Sequence, residues 1–260
     1  MDSKTPRTLT LTALESLPLV RAGDDLAALI VAALTEEQHA LTAQHVIVVA
    51  QKVVSKAEGR AVALATVKPS RRAALLAERT GKDPRLIQLI LREAKQVLRV
   101  GREVLIVEHR NGFIMANAGI DQSNVQSDDP ENHALLLPED CDRSARRLRA
   151  ALRQRTGAAP GVLIIDSIGR AWRRGTIGQA LGAAGLTSLA DLRGQPDLFG
   201  RVLRSTDVGC VDELAAAASI VMGQAAERRP VVLVAGFPVL AEDGAGAVEL
   251  QRPRSEDMFR

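Results

Sequence analysis

The stretch HVIVVAQKVVSKAEGR, residues 45–60, decides how the rest of the chain is interpreted. Its first six residues are a continuous, mostly β-branched apolar run, which is typical of a strand buried on both faces. Apolar residues at helical spacing over 24–34 precede this run, and the basic segment 52–60 follows it directly. A helix, a buried strand and a polar segment in succession indicate an α/β protein with ligand-binding groups at strand ends.

The same alternation continues outward from this stretch. Ser70 is placed to cap a helix, and Asn111-Gly112 predicts a tight turn between two strands. Beyond the first helix and strand, the patterns predict helices over 70–79, 84–98, 144–156 and 212–224, a hairpin of strands 103–109 and 113–117, a buried strand 161–165 ending at Asp166, a Gly-rich stretch 169–185 and a strand 230–235.

These elements predict an α/β (mixed α+β) fold with mixed-direction sheets in two interleaved lobes. Residues 1–240 are expected to form a single domain with an unplaced lobe boundary, and 241–260 a loose C-terminal tail. Neither GxxxxGK[ST] nor GxGxxG occurs in the sequence. A nucleotide would therefore bind outside the P-loop and Rossmann architectures.

Composition excludes several classes of protein. Of 260 residues, 46% are hydrophobic but only 2% aromatic, which argues against single-stranded nucleic-acid platforms that stack bases on rings. The formal net charge of +3 is too small to indicate nucleic acid, and no apolar run approaches the length of a membrane helix. Cys141 and Cys210 lack metal-ligand spacing, so we expect reduced thiols in a cytoplasmic protein.

Two acidic residues are the strongest candidates for chemistry. Asp121 closes FIMANAGID and Asp166 closes VLIID, both where a strand is expected to give way to a loop. An Asp in that place is also typical of a turn or a helix cap. Asn124 and Ser167 stand beside them, however. The carboxylate, hydroxyl and amide groups of these four side chains are of the kind that Mg²⁺ or Mn²⁺ prefers.

Basic residues follow the same strands. Arg170, Arg173 and Arg174 are interleaved with glycines after Asp166, and their guanidinium groups suit phosphate or carboxylate; a solvated surface loop is the alternative interpretation. Lys56 could act as a point charge on a phosphate, although a lysine after a strand is more often a surface residue. The arginines of helix 144–156 are interpreted as its solvated outer face.

The four histidines show no triad-like setting, so hydrolysis with a histidine base is not indicated.

Several blocks of sequence together resemble a known family, the coenzyme F-420 gamma-glutamyl ligases. The resemblance runs in order over nearly the whole chain. It is carried by LPLV at 17–20 with Gly23-Asp24-Asp25, VVSKAEGR at 53–60, NAGIDQSNV at 117–125, DSIGRAWRRG at 166–175 and ASIVMGQ at 218–224.

The resemblance implies a GTP-dependent ligase that adds L-glutamate to a deazaflavin coenzyme precursor, with Mn²⁺ or Mg²⁺, and K⁺ as a further ion. It also implies a homodimer and no membrane or nucleic-acid partner, and the chain is too short to include the C-terminal flavin-dependent reductase domain of some relatives. By resemblance the metal ligands are Asp121, Asp166, Ser167 and Gln224. The GTP contacts are Leu17, Pro18, Leu19, Val20, Gln51, Lys52, Lys56, Asn124, Met222, Gly223, Gln224, Ala225, Ala226, Glu227, Arg228 and Arg229.

Gln224 departs from the family pattern, since some relatives have Glu there and the loss of one charge weakens that metal position. The chemistry implied is an acyl phosphate formed from GTP and then attacked by the glutamate amine. Lys56, Arg170, Arg173 and Arg174 are expected to assist catalysis. A ligase with another acceptor, a non-catalytic guanine-nucleotide-binding regulator and a basic RNA-binding protein remain as alternatives.

Overall fold

A computed structural model describes residues 8–123 and 132–258. The helices in chain order are α1 (Leu26–Glu36), α2 (Gln51–Ala57), α3 (Arg71–Thr80), α4 (Pro84–Glu93), α5 (Cys141–Thr156) and α6 (Cys210–Met222). The strands are β1 (Thr10–Ala13), β2 (His45–Ala50), β3 (Ala61–Ala63), β4 (Ala94–Gly101), β5 (Val104–His109), β6 (Ile114–Ala116), β7 (His133–Leu135), β8 (Gly161–Arg170), β9 (Arg173–Ala184), β10 (Leu189–Asp191), β11 (Asp207–Gly209) and β12 (Val231–Ala235).

A five-stranded sheet in the order β1-β12-β2-β8-β9 forms the centre of the molecule. Only β2 and β8 are parallel neighbours within it, so the prediction of an α/β fold with mixed-direction sheets is confirmed. Its apolar residues alternate between two cores. Val162 and Ile164 face the side covered by α1 and α5, whereas Leu163 and Ile165 face the side covered by α6.

Two glycines allow helices to pack closely against both faces of β9. A Cβ on Gly178 would lie 2.2 Å from the Ala215 carbonyl oxygen of α6, and one on Gly182 would lie 2.2 Å from the Cys141 carbonyl oxygen of α5. Leu181 is an extra residue in the β8–β9 pairing, because Ala180 pairs with Ile165 and Gly182 with Ile164. This bulge turns the two glycines toward opposite faces.

A second lobe is inserted between α2 and α5. We call residues 61–123 and 132–137 the inserted lobe. It contains α3, α4, the sheet β4-β5-β6 and the pair β3-β7. It has its own apolar core, which includes Ile87, Ile90, Leu105 and Val107. Because the chain leaves the central sheet and returns to it, the two lobes are interleaved.

Local capping and turn signals are confirmed. The Ser70 hydroxyl accepts a hydrogen bond from the Ala73 amide at 3.2 Å and starts α3. The predicted hairpin is β5–β6, and its loop is stabilised by a bond from the Gly112 amide to the His109 carbonyl at 2.8 Å. Of the Asn-Gly pair only Gly112 has a positive φ, 91°, so the loop is a three-residue turn with a glycine bulge rather than the expected two-residue turn.

Other predictions differ from the structure. The helix predicted over 84–98 ends at Glu93, because 94–101 pair with β5. The strand predicted to end at Asp166 continues to Arg170, because β9 pairs along its whole length, so the Gly-rich stretch 169–185 is mostly strand. The short strands β1, β3, β7, β10 and β11 were not predicted. The segment 241–258, expected to be loose, makes specific contacts, such as a 2.7 Å ion pair between Asp243 and Arg149 of α5.

Candidate functional site

The topology brings the predicted site segments to one edge of the central sheet. β2 and β8 pair in parallel as far as Ala50 and Ile165, and Gln51 and Asp166 come directly after this last pair at the edge. β12 runs antiparallel and begins there, and the Ala50 amide donates to the Pro230 carbonyl at 2.8 Å. The chain leaving β1 starts at the same edge, where Leu14 bonds the Val231 carbonyl. Loops distant in sequence are thereby neighbours.

Lys52 and Asp121 form an ion pair at this edge. The Lys52 Nζ lies 2.5 Å from Asp121 Oδ2 and 2.9 Å from the Ser123 hydroxyl. The Ser123 amide donates to Asp121 Oδ1 at 2.6 Å. Burial raises the pKa of Asp121, but the Lys52 contact and the Ser123 hydrogen bond outweigh it, so the pKa lies below its usual value. Asp121 is held as a carboxylate joining the inserted lobe to α2.

Asp121 does not stand where the sequence predicted. β6 ends at Ala116, and a short 3₁₀ helix over 117–119 separates it from Asp121, which pairs with Leu135 in an isolated β-bridge. Its neighbour Asn124, predicted to contact GTP, lies outside the described residues.

Asp166 has the opposite electrostatic character. Burial raises its pKa to about 6, and the negative charge of Asp121 acts in the same direction. Hydrogen bonds from the Ser167 backbone and the Gln51 side chain, with the positive charge of Lys52, only partly offset this. Asp166 is therefore a carboxylate whose charge is incompletely compensated, which is the condition in which a cation or donor is bound favourably.

Ser167 and Gln224 meet beside Asp166 although 57 positions separate them. The Ser167 hydroxyl donates to Gln224 Oε1 at 2.5 Å. We define the strand-end cluster as Gln51, Lys52, Asp121, Asp166, Ser167 and Gln224. Its carboxylate, hydroxyl and amide oxygens are of the types that hard divalent cations take, so the donor set fits Mg²⁺ or Mn²⁺. Among the described residues, no three His, Cys, Asp or Glu side chains converge as a metal cluster of their own.

The first turns of α2 are built into the site. Gln51 is 1% exposed and accepts from the buried Ser55 hydroxyl at 2.9 Å. One helical turn after Lys52 comes Lys56, and its pKa is lowered by burial and by the neighbouring Lys52 ammonium. The Lys56 charge is therefore poorly compensated, so an anion placed beside it would be stabilised.

The other predicted nucleotide segments reach the same edge with different exposure. Leu17 and Val20 are buried in the core, while Leu19 is 57% exposed; Pro18 is exposed as well. Arg229, the last of the predicted GTP contacts in the sequence, forms an ion pair with Glu15 at 2.7 Å.

Residues 222–228, which are also predicted GTP contacts, leave α6 in a tight turn. Met222 is buried, and Gly223, Gln224, Ala225, Ala226, Glu227 and Arg228 follow it. The Glu227 carboxylate accepts from the Ala225 amide at 2.8 Å, and Gly223 has a φ of 76°.

Arg60, the last residue of the VVSKAEGR block, ties α2 to the inserted lobe. Its guanidinium lies 3.0 Å from the Glu93 carboxylate, which also contacts Arg110 at 3.1 Å and the buried His109 at 3.6 Å. Burial opposes the ionised form of Glu93, but the His109 hydrogen bond and the Arg110 and Arg60 charges lower its pKa overall. Sequence reasoning missed this cluster, since no spacing rule relates residues 60, 93 and 110.

A large cleft opens beside the strand-end cluster. It has a volume of about 1370 Å³ and lies between the sheet β4-β5-β6, the projecting β8–β9 hairpin and the segment 247–258. We call it the arginine-lined cleft. Its walls include Lys95, Leu98, Arg99, Glu108, Phe113, Ile114, Met115, Asp166, Ser167, Ile168, Arg170, Trp172, Arg173, Asp212, Leu250, Gln251, Arg252, Arg254, Asp257 and Met258.

The three arginines after Asp166 lie on a hairpin and not on the expected loop. Arg170 ends β8, while Arg173 and Arg174 begin β9, and the 83% exposed Trp172 is at the tip. Arg170 and Arg173 line the cleft, and the Arg170 Nη2 is 3.5 Å from the Arg174 carbonyl oxygen. The structure thus places Arg170 and Arg173 outward from the strand-end cluster, along one wall, whereas Arg174 is not among the lining residues.

Comparison with known proteins gives consistent matches over most of the chain. Residues 15–236 match the family model described as F420-0:Gamma-glutamyl ligase. The "Coenzyme F420:L-glutamate ligase" of Methanothermobacter thermautotrophicus is 47% identical over 254 residues, covering 97% of this chain and 99% of that protein. The protein of the same name from Methanopyrus kandleri is 47% identical over 253 residues, covering 95% and 97%.

A relative from Archaeoglobus fulgidus, also named "Coenzyme F420:L-glutamate ligase", is 41% identical over 247 residues, with 95% of this chain and 94% of that protein covered. Within residues 8–123 and 132–258, none of the helices combines the length and apolar character needed to cross a membrane.

Proposed function

The chain belongs to the F420-0:gamma-glutamyl ligase family, and from that premise we propose that it joins L-glutamate to the deazaflavin coenzyme precursor at the expense of GTP. The observation that carries the proposal is the meeting of Lys56 and the strand-end cluster at one sheet edge, beside a cleft large enough for an extended acceptor.

The proposed reaction has two steps. First, the acceptor carboxylate attacks the γ-phosphorus of GTP, and the bond to the β-phosphate oxygen breaks to release GDP and leave an acyl phosphate. The glutamate α-amine then attacks the acyl carbon and displaces inorganic phosphate, with loss of one proton, to give the amide. Neither step requires a nucleophile from the protein, since positioning and electrostatics supply the catalysis.

The side chains divide these tasks between them. We assign Lys56 to the GTP phosphates, because its burial leaves the ammonium poorly compensated. Asp121, Asp166, Ser167 and Gln224 would hold a divalent cation, which neutralises negative charge on the phosphates when bound. Arg170 and Arg173 lie on the cleft side and would orient the acidic acceptor.

Nucleotide recognition is assigned to the loops around the same edge. Residues 17–20 and 222–229 follow β1 and α6, and Gln51 and Lys52 begin α2. K⁺ is proposed as a further ion.

The direct test combines the purified protein with GTP, Mn²⁺, L-glutamate and the glutamate-free deazaflavin precursor. Mass spectrometry should detect glutamyl addition, and GDP release should depend on both the precursor and glutamate. GDP release without either co-substrate, or none at all, would contradict the proposed ligase. Repeating the assay with other carboxylate acceptors separates this function from that of a ligase with a different acceptor.

We also propose that the protein is a homodimer. The hairpin-like excursion between β10 and β11 carries Leu198 and Phe199, each 91% exposed. Adjacent exposed apolar side chains are typical of a surface covered by a partner. Light scattering should give twice the chain mass of 27.8 kDa, and Phe199→Ser should shift the mass toward that of one chain.

A further inference from the structure

One wall of the arginine-lined cleft is formed by residues that do not belong to the predicted site. Residues 247–258 run along the cleft opposite the β8–β9 hairpin, and Leu250, Arg252, Arg254 and Met258 line it. Asp166 and Ser167 are at one end of the same cleft. The last described part of the chain therefore faces the space that an acceptor would occupy on leaving the strand-end cluster.

This wall is fixed to the body at two points. Asp142 of α5 accepts from the Ala247 amide at 2.7 Å and from the Val248 amide at 3.1 Å. Farther along, the Gln251 Nε2 donates to the Asn111 carbonyl oxygen at 2.7 Å. A Cβ on Gly112 would lie 1.8 Å from Gln251 Oε1, so a larger residue at this turn would displace the Gln251 side chain. The backbone at Arg252 therefore follows directly after an anchored residue.

The arginine side chains around the cleft differ in how far their hydrogen-bond donors are satisfied. Arg170 has a buried Nε with no hydrogen-bond partner within the described ranges, although its Nη2 approaches a carbonyl oxygen. Arg252 and Arg254 are exposed on the facing wall. Guanidinium groups bind carboxylate and phosphate oxygens with two parallel donors, so such a set favours an oxyanion. Apolar surface from Ile114 and Met258 lies in the same cleft.

We propose that Arg252 and Arg254, together with Arg170, form an anion subsite for a group of the acceptor that does not itself react. This inference rests on the proposed ligase function, in which the reacting carboxylate must lie at the strand-end cluster. The rest of the acceptor then extends along the cleft. Its oxyanion is a phosphate of the precursor or the α-carboxylate that each γ-linked glutamate leaves free.

Binding without turnover tests the subsite directly. Trp172 is the one tryptophan of the chain and lines the cleft, so its emission reports occupancy there. The probes are the glutamate-free precursor and the dipeptide γ-Glu-Glu, titrated without GTP into wild type and into the double variant Arg252→Gln/Arg254→Gln. Arg72→Gln, an exposed arginine of α3 outside the cleft, is the matched control.

We expect the double variant to bind at least one probe about tenfold more weakly, because charge-assisted hydrogen bonds are lost, whereas the control binds as wild type. Weaker binding of the precursor alone identifies a phosphate as the bound group, weaker binding of the dipeptide alone identifies a carboxylate, and weaker binding of both probes shows that the subsite takes either oxyanion. Unchanged affinity for both probes, in a double variant with the melting temperature of wild type, would overturn the proposal.

The outcome is separable from that of the proposed function. If wild type forms no glutamyl product, the ligase proposal fails, while the titration still reports on the anion subsite. If wild type is active and the double variant keeps its acceptor KM, the subsite alone is contradicted. We expect instead a raised acceptor KM, an unchanged KM for GTP and nearly unchanged kcat.

Discussion

The strand-end cluster and the arginine-lined cleft adjoin each other but are built in opposite ways. In the cluster, polar groups from distant segments already contact one another, as in the pairs Lys52–Asp121 and Ser167–Gln224. In the cleft, cationic side chains line open space, and the buried Arg170 Nε has no hydrogen-bond partner in the described part of the chain.

This difference separates two physical tasks. A cluster with pre-formed contacts loses little entropy when it acts, so its residues are suited to stabilising charge during a reaction. A lined cleft gains its contacts only from the ligand, so its residues are suited to affinity and to the choice of acceptor. Substitutions in the two regions should therefore affect different kinetic constants.

The largest effect is expected for Asp166→Asn. Removing an incompletely compensated carboxylate from the centre of the cluster should lower kcat by about 10²–10³-fold, as for the loss of one preorganised group in an active site. Steady-state assays of GDP release measure it. Asp191→Asn, an exposed residue paired with Arg193, serves as the control and should retain wild-type rates. Equal kcat in the two variants would break the distinction between the regions.

A stability measurement tests the same carboxylate without activity. The pKa of Asp166 is raised to about 6, so its ionisation destabilises the metal-free fold as pH rises from about 4 through 6. The free energy of unfolding of Asp166→Asn should therefore rise relative to that of wild type, by up to about 3 kcal/mol between pH 4 and pH 7, since each pKa unit is worth 1.36 kcal/mol. Denaturant unfolding in chelator at both pH values would show it; a pH-independent difference would contradict the raised pKa.

A smaller effect is expected for Lys56→Met, which keeps the apolar stem and removes the ammonium. We expect kcat/KM for GTP to fall about 10- to 100-fold, as for the loss of a charged hydrogen bond of roughly 1.5–3 kcal/mol. The acceptor KM should change little. Lys68→Met, an exposed lysine remote from the site, is the matched variant. A change confined to the acceptor KM would assign Lys56 to the cleft instead.

The smallest effect is expected for Arg173→Gln at the start of β9. Its side chain is exposed and lines the cleft, and exposed ionic contacts contribute about 0.2–1 kcal/mol. The acceptor KM should rise about 1.4- to 5-fold on that energy scale, with kcat unchanged. A large fall in kcat would show that the hairpin takes part in the reaction and that the two regions act as one.

Local signals were sufficient for much of the fold. Ser70 and Gly157 mark helix ends because a cap is satisfied by residues within one turn, whereas α5, predicted from 144, begins at Cys141 after the cap Asp140. The boundary between α4 and β4 was mispredicted since Val97 and Leu98 suit either periodicity, and only pairing with β5 selects the strand. β8 likewise continues past Asp166 because its partner β9 continues beside it.

The candidate site divides in the same manner. Asp166, Ser167 and Lys56 could be selected because each follows a recognisable buried strand, and the family resemblance added residues 17–20 and 222–229. The wall containing Arg252 could not be predicted, since it depends on contacts such as Gln251 with Asn111, 140 positions apart. Composition gave no indication that the terminal segment faces the site.

The glycine contacts of β9 also have a mechanical consequence. Gly178 and Gly182 clamp the inner half of the strand between α5 and α6, whereas residues 173–176 are exposed. The β8–β9 hairpin is therefore a cantilever anchored at Gly178, with Trp172 near its free end. We expect any bending of the hairpin to occur beyond that anchor, where it would change the width of the cleft and leave the strand-end cluster in place. Amide hydrogen exchange should accordingly slow sharply between positions 176 and 180.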